Sequence, residues 1–288
     1  MAAAWFLAAV PAGPWWTDWR LDPSTVAVLL AAGSVYAAGV VRTRRSGAPW
    51  SGARTAAFAG GLALAAAALV SPVETYAEVS FSVHMVQHLL LTFGAPPLLA
   101  LAAPVKLALR SLPPAAARRL SGALGSGPMQ LLAMPVVAWA AFVGAPWVVH
   151  FSPLFDVALR STVWHTVEHA IWVGGALALW WPVVGADPSP HPWSHPTRLL
   201  ALLLAMPAMS FLALAIFTAG APLYPTYAAA PAPWGPAVLS SQRDAAVWMW
   251  VVGNLGLVVA MLIVAADWKR HDDARQRRLE ARQDAAAR

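Results

Sequence analysis

The chain has no cysteine among its 288 residues, and only 11% of them are Asp, Glu, Lys or Arg. Without thiols, disulfide pairing, thiolate metal transfer and a C-x-x-C redox pair are excluded. Any metal held here must use His, Met, carboxylate or backbone oxygen. The shortage of charge is equally informative, because soluble proteins carry roughly 25% charged residues. A surface drawn from a composition that is 59% hydrophobic could not face water on all sides. Also missing are a nucleophile–base set, a phosphate loop and a cofactor fingerprint, so the chain is not expected to be an enzyme. No Lys or Arg precedes Arg20, which leaves the N-terminus without the basic region of a secretory signal. Residues 1–23, with Trp5, Trp15, Trp16 and Trp19, are instead expected to lie at the membrane interface, where tryptophan favours the headgroup belt.

The apolar runs repeat without a long polar interval at 24–42, 55–72, 79–103, 128–149, 161–182, 197–219 and 243–266. Each is near the roughly 20 residues that cross a bilayer core. Lipid cannot satisfy free backbone groups, and these runs are too continuous for the alternation of a membrane barrel. The expected fold is therefore all-α, a polytopic integral membrane bundle of about seven transmembrane helices. It divides into the interfacial segment 1–23, a membrane domain 24–266 and a charged tail 267–288 that could continue the last helix.

Sixteen of the 19 Lys and Arg fall on one side of these seven spans and three, Arg20, Arg160 and Arg243, on the other. The positive-inside rule then places the N-terminus outside and the C-terminus in the cytoplasm. The positive charge follows from topology and gives no reason to expect nucleic acid binding. Membrane lipid is the partner that the composition itself implies.

The third span carries His84 and His88, and the fifth carries His165 and His169. Residues four apart share one helix face. Eight scattered His would give on the order of 0.2 such pairs by chance. His191 and His195 form a third pair, but in a Pro-rich loop where helical spacing means nothing. The third and fifth spans run in the same direction, and their pairs begin about five residues in, so at 1.5 Å per residue all four imidazoles sit at similar height in the outer half of the bilayer. Ionisable groups inside a membrane mark function by default, although neutral His also cross-links helices by ordinary hydrogen bonds.

His84, His88, His165 and His169 are thus the candidate metal ligands. Auxiliary candidates are Met85, Gln87, His150, Glu168, Asp244 and Met249. Thioether selects Cu(I) and imidazole suits copper, zinc, iron and nickel, so copper fits best and zinc stays open on ligand type. The `GAPP` segment, Gly94 to Pro97, interrupts the third span, as a packing kink or as a hinge or ion path. Two rival readings remain: a membrane haem redox protein, since haem also takes axial His, and a copper or ion transporter.

The block `HMVQHLLLTFGAPPLLALAAP`, then `HTVEH` with a later `LWWPVV`, a Tyr-containing outer loop and `WMW` in the last helix, resembles the multi-helix CtaG-type cytochrome c oxidase assembly factor family. The likeness spans most of residues 75–260. It implies a role in maturing the copper-containing respiratory oxidase at the outer face of the bacterial plasma membrane, with oxidase subunits or a soluble copper chaperone as partners. Residue by residue, the implication falls on His84, His88, His165 and His169, with Gln87 in the same motif. The chain departs from the family near its last helix, where an Asp-Gln pair and a later Gly are replaced by Ser241-Gln242 and Ala246. Asp244 is the candidate substitute for the lost acid.

The charge asymmetry makes a direct prediction. A reporter fused after Arg288 should be cytoplasmic, and the 150–160 and 220–242 loops should label from outside. Labelling of the tail in intact cells would reverse the orientation and move the histidines to the cytoplasmic half.

Overall fold

A computed structural model describes residues 14–229 and 237–286. The expectation for residues 1–13, including Trp5, lies outside the described residues. Within them the chain is helical: α1 (Pro23–Arg45), α2 (Gly52–Leu69), α3 (Pro72–Ala77), α4 (Phe81–Leu89), a π turn (Leu90–Gly94), α5 (Ala95–Leu101), α6 (Pro104–Ser111), α7 (Pro114–Leu124), α8 (Gly127–Leu132), α9 (Pro135–His150), α10 (Leu154–Ala158), α11 (Thr162–Val184), α12 (His195–Thr218), α13 (Pro225–Ala229) and α14 (Val238–Ala286).

Helix starts are written by prolines and short polar caps. Pro23 opens α1, where Asp22 accepts from the Thr25 N–H at 2.8 Å. Pro72 opens α3 behind Ser71, and Pro196 lies in the first turn of α12 behind Ser194. Proline there removes a donor that would be unpaired in any case, while the cap oxygen satisfies another.

Among the described residues, six stretches are long and apolar enough to cross a membrane: Pro23–Arg45, Gly52–Leu69, Phe81–Ser111, Thr162–Val184, His195–Thr218 and Val238–Ala285. The expected span at 128–149 is shorter than its hydropathy implied, with only the 16 residues of α9 continuous. Pro135 is the cause. A residue before proline is pushed out of the helical region, and Met134 sits at φ −64°, ψ 135°, separating α8 from α9. The tail does continue the last helix, which runs unbroken for 49 residues.

The third span is bent as the `GAPP` segment implied, but through a π turn that ends where that segment begins. Pro96 has no N–H to give to the carbonyl four residues back, that of Thr92. The indole of Trp180 on α11 donates to this carbonyl at 2.8 Å, so the carbonyl left free on one helix is satisfied by its neighbour. A sharper break follows at Ala103, whose φ of 51° is the only positive value on a non-glycine among the described residues. Asp187 then takes up the backbone N–H groups of Val105 and Lys106 at 3.2 and 2.7 Å.

Close helix approach depends on small residues, as is common in membranes. A Cβ on Gly61 would lie 2.9 Å from Leu99 of α5, and one on Gly175 would lie 3.0 Å from the Ala141 carbonyl of α9. Helix α14 packs along α12 and against α4, while α11 lies against α9 and α5. The bundle interior divides into two main apolar clusters. One holds Phe142, Leu179, Trp180, Leu202 and Leu257, and the other gathers Phe81, Met85, Phe155, Tyr224, Tyr227 and Met249 near the starts of α4 and α14. Leu30, Leu203, Phe211, Leu255 and Leu262 are exposed, an apolar outer surface suited to lipid.

Candidate metal centre

One end of the bundle brings together α4, the first two turns of α11, the last turn of α9, the connector helix α3 and the 219–229 loop. His84, His88, His150 and His165 are buried there, and His169 is half-buried. The spacing-four pairs each lie together along their helix, with ring centroids 4.3 Å apart and edge-on for His84 and His88 and 4.2 Å apart and tilted for His165 and His169. Across the helices, His84 lies 5.5 Å from His165 and His88 lies 6.4 Å from His169. The two pairs converge.

Each pair meets a carboxylate. Glu168 sits in α11 between His165 and His169 in sequence, yet its Oε1 lies 3.4 Å from His88 Nε2 and 3.8 Å from His84 Nε2 on α4. Helical residues advance roughly 100° each, so Glu168 flanks the imidazole face of its own helix and turns towards the neighbour. Reciprocally, His165 Nδ1 lies 3.7 Å from Glu74 Oε1, and Glu74 is held by Gln87, the residue between His84 and His88. The Gln87 amide donates to Glu74 and, at 2.8 Å, to the Ala68 carbonyl at the end of α2. Gln87 therefore ties a helix end, a carboxylate and the α4 pair into one assembly. The donor atoms fall into two groups, His84–His88–Glu168 and Glu74–His165–His169, each with its atoms within 4.8 Å of one another.

Hydrogen bonds fix the ring of His84. The Tyr227 hydroxyl donates to the Ala77 carbonyl at 2.6 Å and lies 2.9 Å from His84 Nδ1. Burial raises the Tyr227 phenol well above its ordinary range, so it keeps its single proton. With that proton committed to Ala77, Nδ1–H of His84 must donate to the phenol oxygen. A neutral ring then presents a lone pair at Nε2, towards His88 Nε2 at 2.8 Å. His150 is held similarly by Tyr224, at 2.7 Å from Nδ1. Such outer partners orient metal-ligating imidazoles.

Several buried polar atoms of the cluster lack protein partners. His88 Nδ1, His150 Nε2, His165 Nε2, His169 Nε2 and both Glu168 oxygens are buried without a hydrogen bond. A buried carboxylate without a donor is costly, and a cation is the partner that this set of lone pairs fits. Glu74, in the connector outside the spans, has its carboxyl raised to about 7 by burial, partly opposed by Gln87 and Arg20. The N-terminal segment leans on the same connector: Arg20 pairs with Glu78, and Thr75 donates to the Asp18 carbonyl at 2.8 Å.

The remaining candidates divide. Met85 and Met249 are buried in the apolar cluster around Phe81 and Phe155, whose Phe155 ring contacts His84, His88 and His150. Asp244 is exposed and does not join the cluster. Its neighbour Gln242 is buried and binds the Leu223 N–H at 2.8 Å and the Ile216 carbonyl at 3.2 Å, pinning the tyrosine-bearing loop. Sequence reasoning missed Glu74, Tyr224 and Tyr227. A usable signal existed, since Glu74 and Glu78 are the only acids between Asp22 and Asp156.

Fold and site together define a multi-pass helical membrane protein with an imidazole–carboxylate cluster at one end of its bundle. Residues 34–271 match the family described as cytochrome c oxidase caa3 assembly factor, and the chain belongs to that family. It is similar to uncharacterized proteins of Mycobacterium bovis and Mycobacterium tuberculosis, each 32% identical over 278 residues, covering 93% of this chain and 41% of the relative. A Mycobacterium leprae protein, also uncharacterized, is 31% identical over 266 residues, covering 89% of this chain and 40% of its own length. The chain thus spans about two-fifths of the length of these curated relatives. No solved structure matches it.

The role of Gln87 can be measured. Gln87→Leu removes the donor to both the Ala68 carbonyl and Glu74, and should lower stability by about 1–3 kcal/mol, read as a reduced unfolding midpoint in detergent. An unchanged midpoint would mean that the amide holds neither group.

Proposed function

We propose that the protein assists assembly of cytochrome c oxidase by binding copper at its histidine–carboxylate cluster and delivering it to the oxidase copper centre. It works from the outer face of a bacterial plasma membrane, with its N-terminus outside and its C-terminus cytoplasmic. Copper is cargo here rather than a resident cofactor, and the protein is not an enzyme. Oxidase subunits, or a soluble copper chaperone, are the partners at that face. The carrying observation is Glu168, fully buried, with the Trp172 indole beside it but neither oxygen in a well-aligned hydrogen bond, facing the Nε2 atoms of His84 and His88.

The donor set of ring nitrogens and carboxylate oxygens suits a borderline divalent ion such as Cu(II) or zinc. Copper is favoured over zinc by the family's target, a copper-containing oxidase. The thioethers of Met85 and Met249, buried in the adjoining apolar cluster, supply a softer boundary.

Delivery at the surface is favoured over transport across the membrane. Further along the bundle from the cluster, the interior is packed with Phe142, Leu179, Trp180, Leu202 and Leu257, an apolar filling that offers an ion no ligands. Haem is disfavoured by the tight surroundings of the rings: Trp172 stacks on His88 at 4.1 Å and Phe155 lies 5.0 Å from His84, space that a macrocycle would need.

Replacing one ligand tests the reading. In membranes containing equal amounts of protein, His88→Gln should bind less copper than the wild type and should lower the copper content and activity of the oxidase. Membrane hydrogen bonds average about 0.6 kcal/mol in measured cycles, so loss of an ordinary interhelical contact would not abolish assembly. Normal oxidase copper with the variant would refute the metal role.

A further inference from the structure

The six donors are not arranged around one point. Ligand bonds of 2.0–2.2 Å, typical of zinc with His and carboxylate, place two donors on the same ion at most about 4.4 Å apart. The separations of 2.8, 3.4 and 3.8 Å among His84, His88 and Glu168 lie inside that limit, as does the 3.7 Å between His165 and Glu74. Each set of three has its donor atoms within 4.8 Å of one another, so a contraction of at most a few tenths of an ångström brings the set of Glu74, His165 and His169 onto one ion. The pairing is crossed: Glu168 of α11 completes the α4 pair, and Gln87 of α4 secures the acid that faces the α11 pair. This reciprocity gives each helix pair its own anion, whereas a single four-histidine site would need neither carboxylate.

The two sets also differ in access. His84, His88 and Glu168 are all fully buried within spans, and His84 is locked by Tyr227. In the other set Glu74 and His169 are only half-buried, and Glu74 belongs to the connector rather than to a span. Through Glu74 the second set therefore reaches the connector end of the bundle, outside the spans. Unpartnered buried acceptors occur in both: the Glu168 oxygens in the first and His169 Nε2 in the second.

We propose that the cluster holds two cations side by side, an inner one on His84, His88 and Glu168 and an outer one on Glu74, His165 and His169, with the outer triad as the loading position. This rests on the metal-binding reading given above and refines it from one ion to two. A second, connector-side position lets an ion leave its carrier before the buried position is filled, and keeps the inner ion shielded until the oxidase partner docks.

The test loads the purified 288-residue chain in detergent with a Cu(II) salt and removes loosely bound ions. Copper per chain is then measured together with the electron paramagnetic resonance spectrum. The wild type should retain about two ions and show magnetic coupling between them. Glu168→Gln and Glu74→Gln should each retain about one, with the coupling lost. Circular dichroism and gel filtration identify a variant that fails to fold, and His88→Gln or His169→Gln then replaces it for the inner or outer triad. A wild type that binds one uncoupled ion, lost completely on removing either carboxylate, would overturn the two-position arrangement while leaving copper binding intact. A wild type that retains no copper would overturn the metal-binding reading itself.

Discussion

The structure is organised around the cost of burying Glu168 inside a helical membrane bundle. A charged group there must find a partner or neutralise, and neither oxygen of Glu168 makes a well-aligned hydrogen bond among the described residues, although the Trp172 indole lies beside it. What surrounds it is imidazole, which offers protons in one state and lone pairs in another. The protein invests further interactions in keeping that arrangement fixed: Tyr227 orients His84, Tyr224 orients His150, and Gln242 anchors the loop that carries both tyrosines. Their common effect is a set of aimed nitrogens and oxygens at one end of the bundle.

Holding such a set in place requires a scaffold that bends without fraying. The third span accomplishes this with consecutive prolines behind a π turn, and the carbonyl of Thr92 finds a donor in Trp180 of α11. The two helices that carry the histidine pairs are therefore also linked deeper in the bundle. Their relative height is fixed from both ends, by this indole contact and by the crossed carboxylates. A slide of one helix by a single turn would break both.

Much of the architecture was legible because its determinants are local. Apolar run length gave the helices, proline and cap residues gave their starts, and spacing four placed His84 with His88 and His165 with His169. The fourth span was overestimated because hydropathy does not register the conformational restriction that Pro135 places on Met134. Asp244 looked suited to the site by sequence position, yet it faces outwards while Gln242 turns in. The partner acid Glu74 was missed for a different reason. It lies in a connector, and its place beside His165 depends on a tertiary contact with Gln87 that periodicity cannot reveal. Glu168 was visible, but which flank of α11 faces α4 is decided only by helix packing. The site's histidines and Glu168 could be read from sequence, while the division of the cluster into two groups belongs to the three-dimensional arrangement.

The central claim is that imidazole nitrogen and carboxylate oxygen, without sulfur, hold the cation. X-ray absorption at the copper edge of the Cu(II)-loaded protein tests it most directly. The account predicts a first shell of nitrogen and oxygen at about 2.0 Å, with the outer-ring scattering of imidazole, and no sulfur shell near about 2.3 Å. A dominant sulfur shell would transfer the site to Met85 and Met249, and a shell without imidazole scattering would remove the histidine cluster from the metal site altogether.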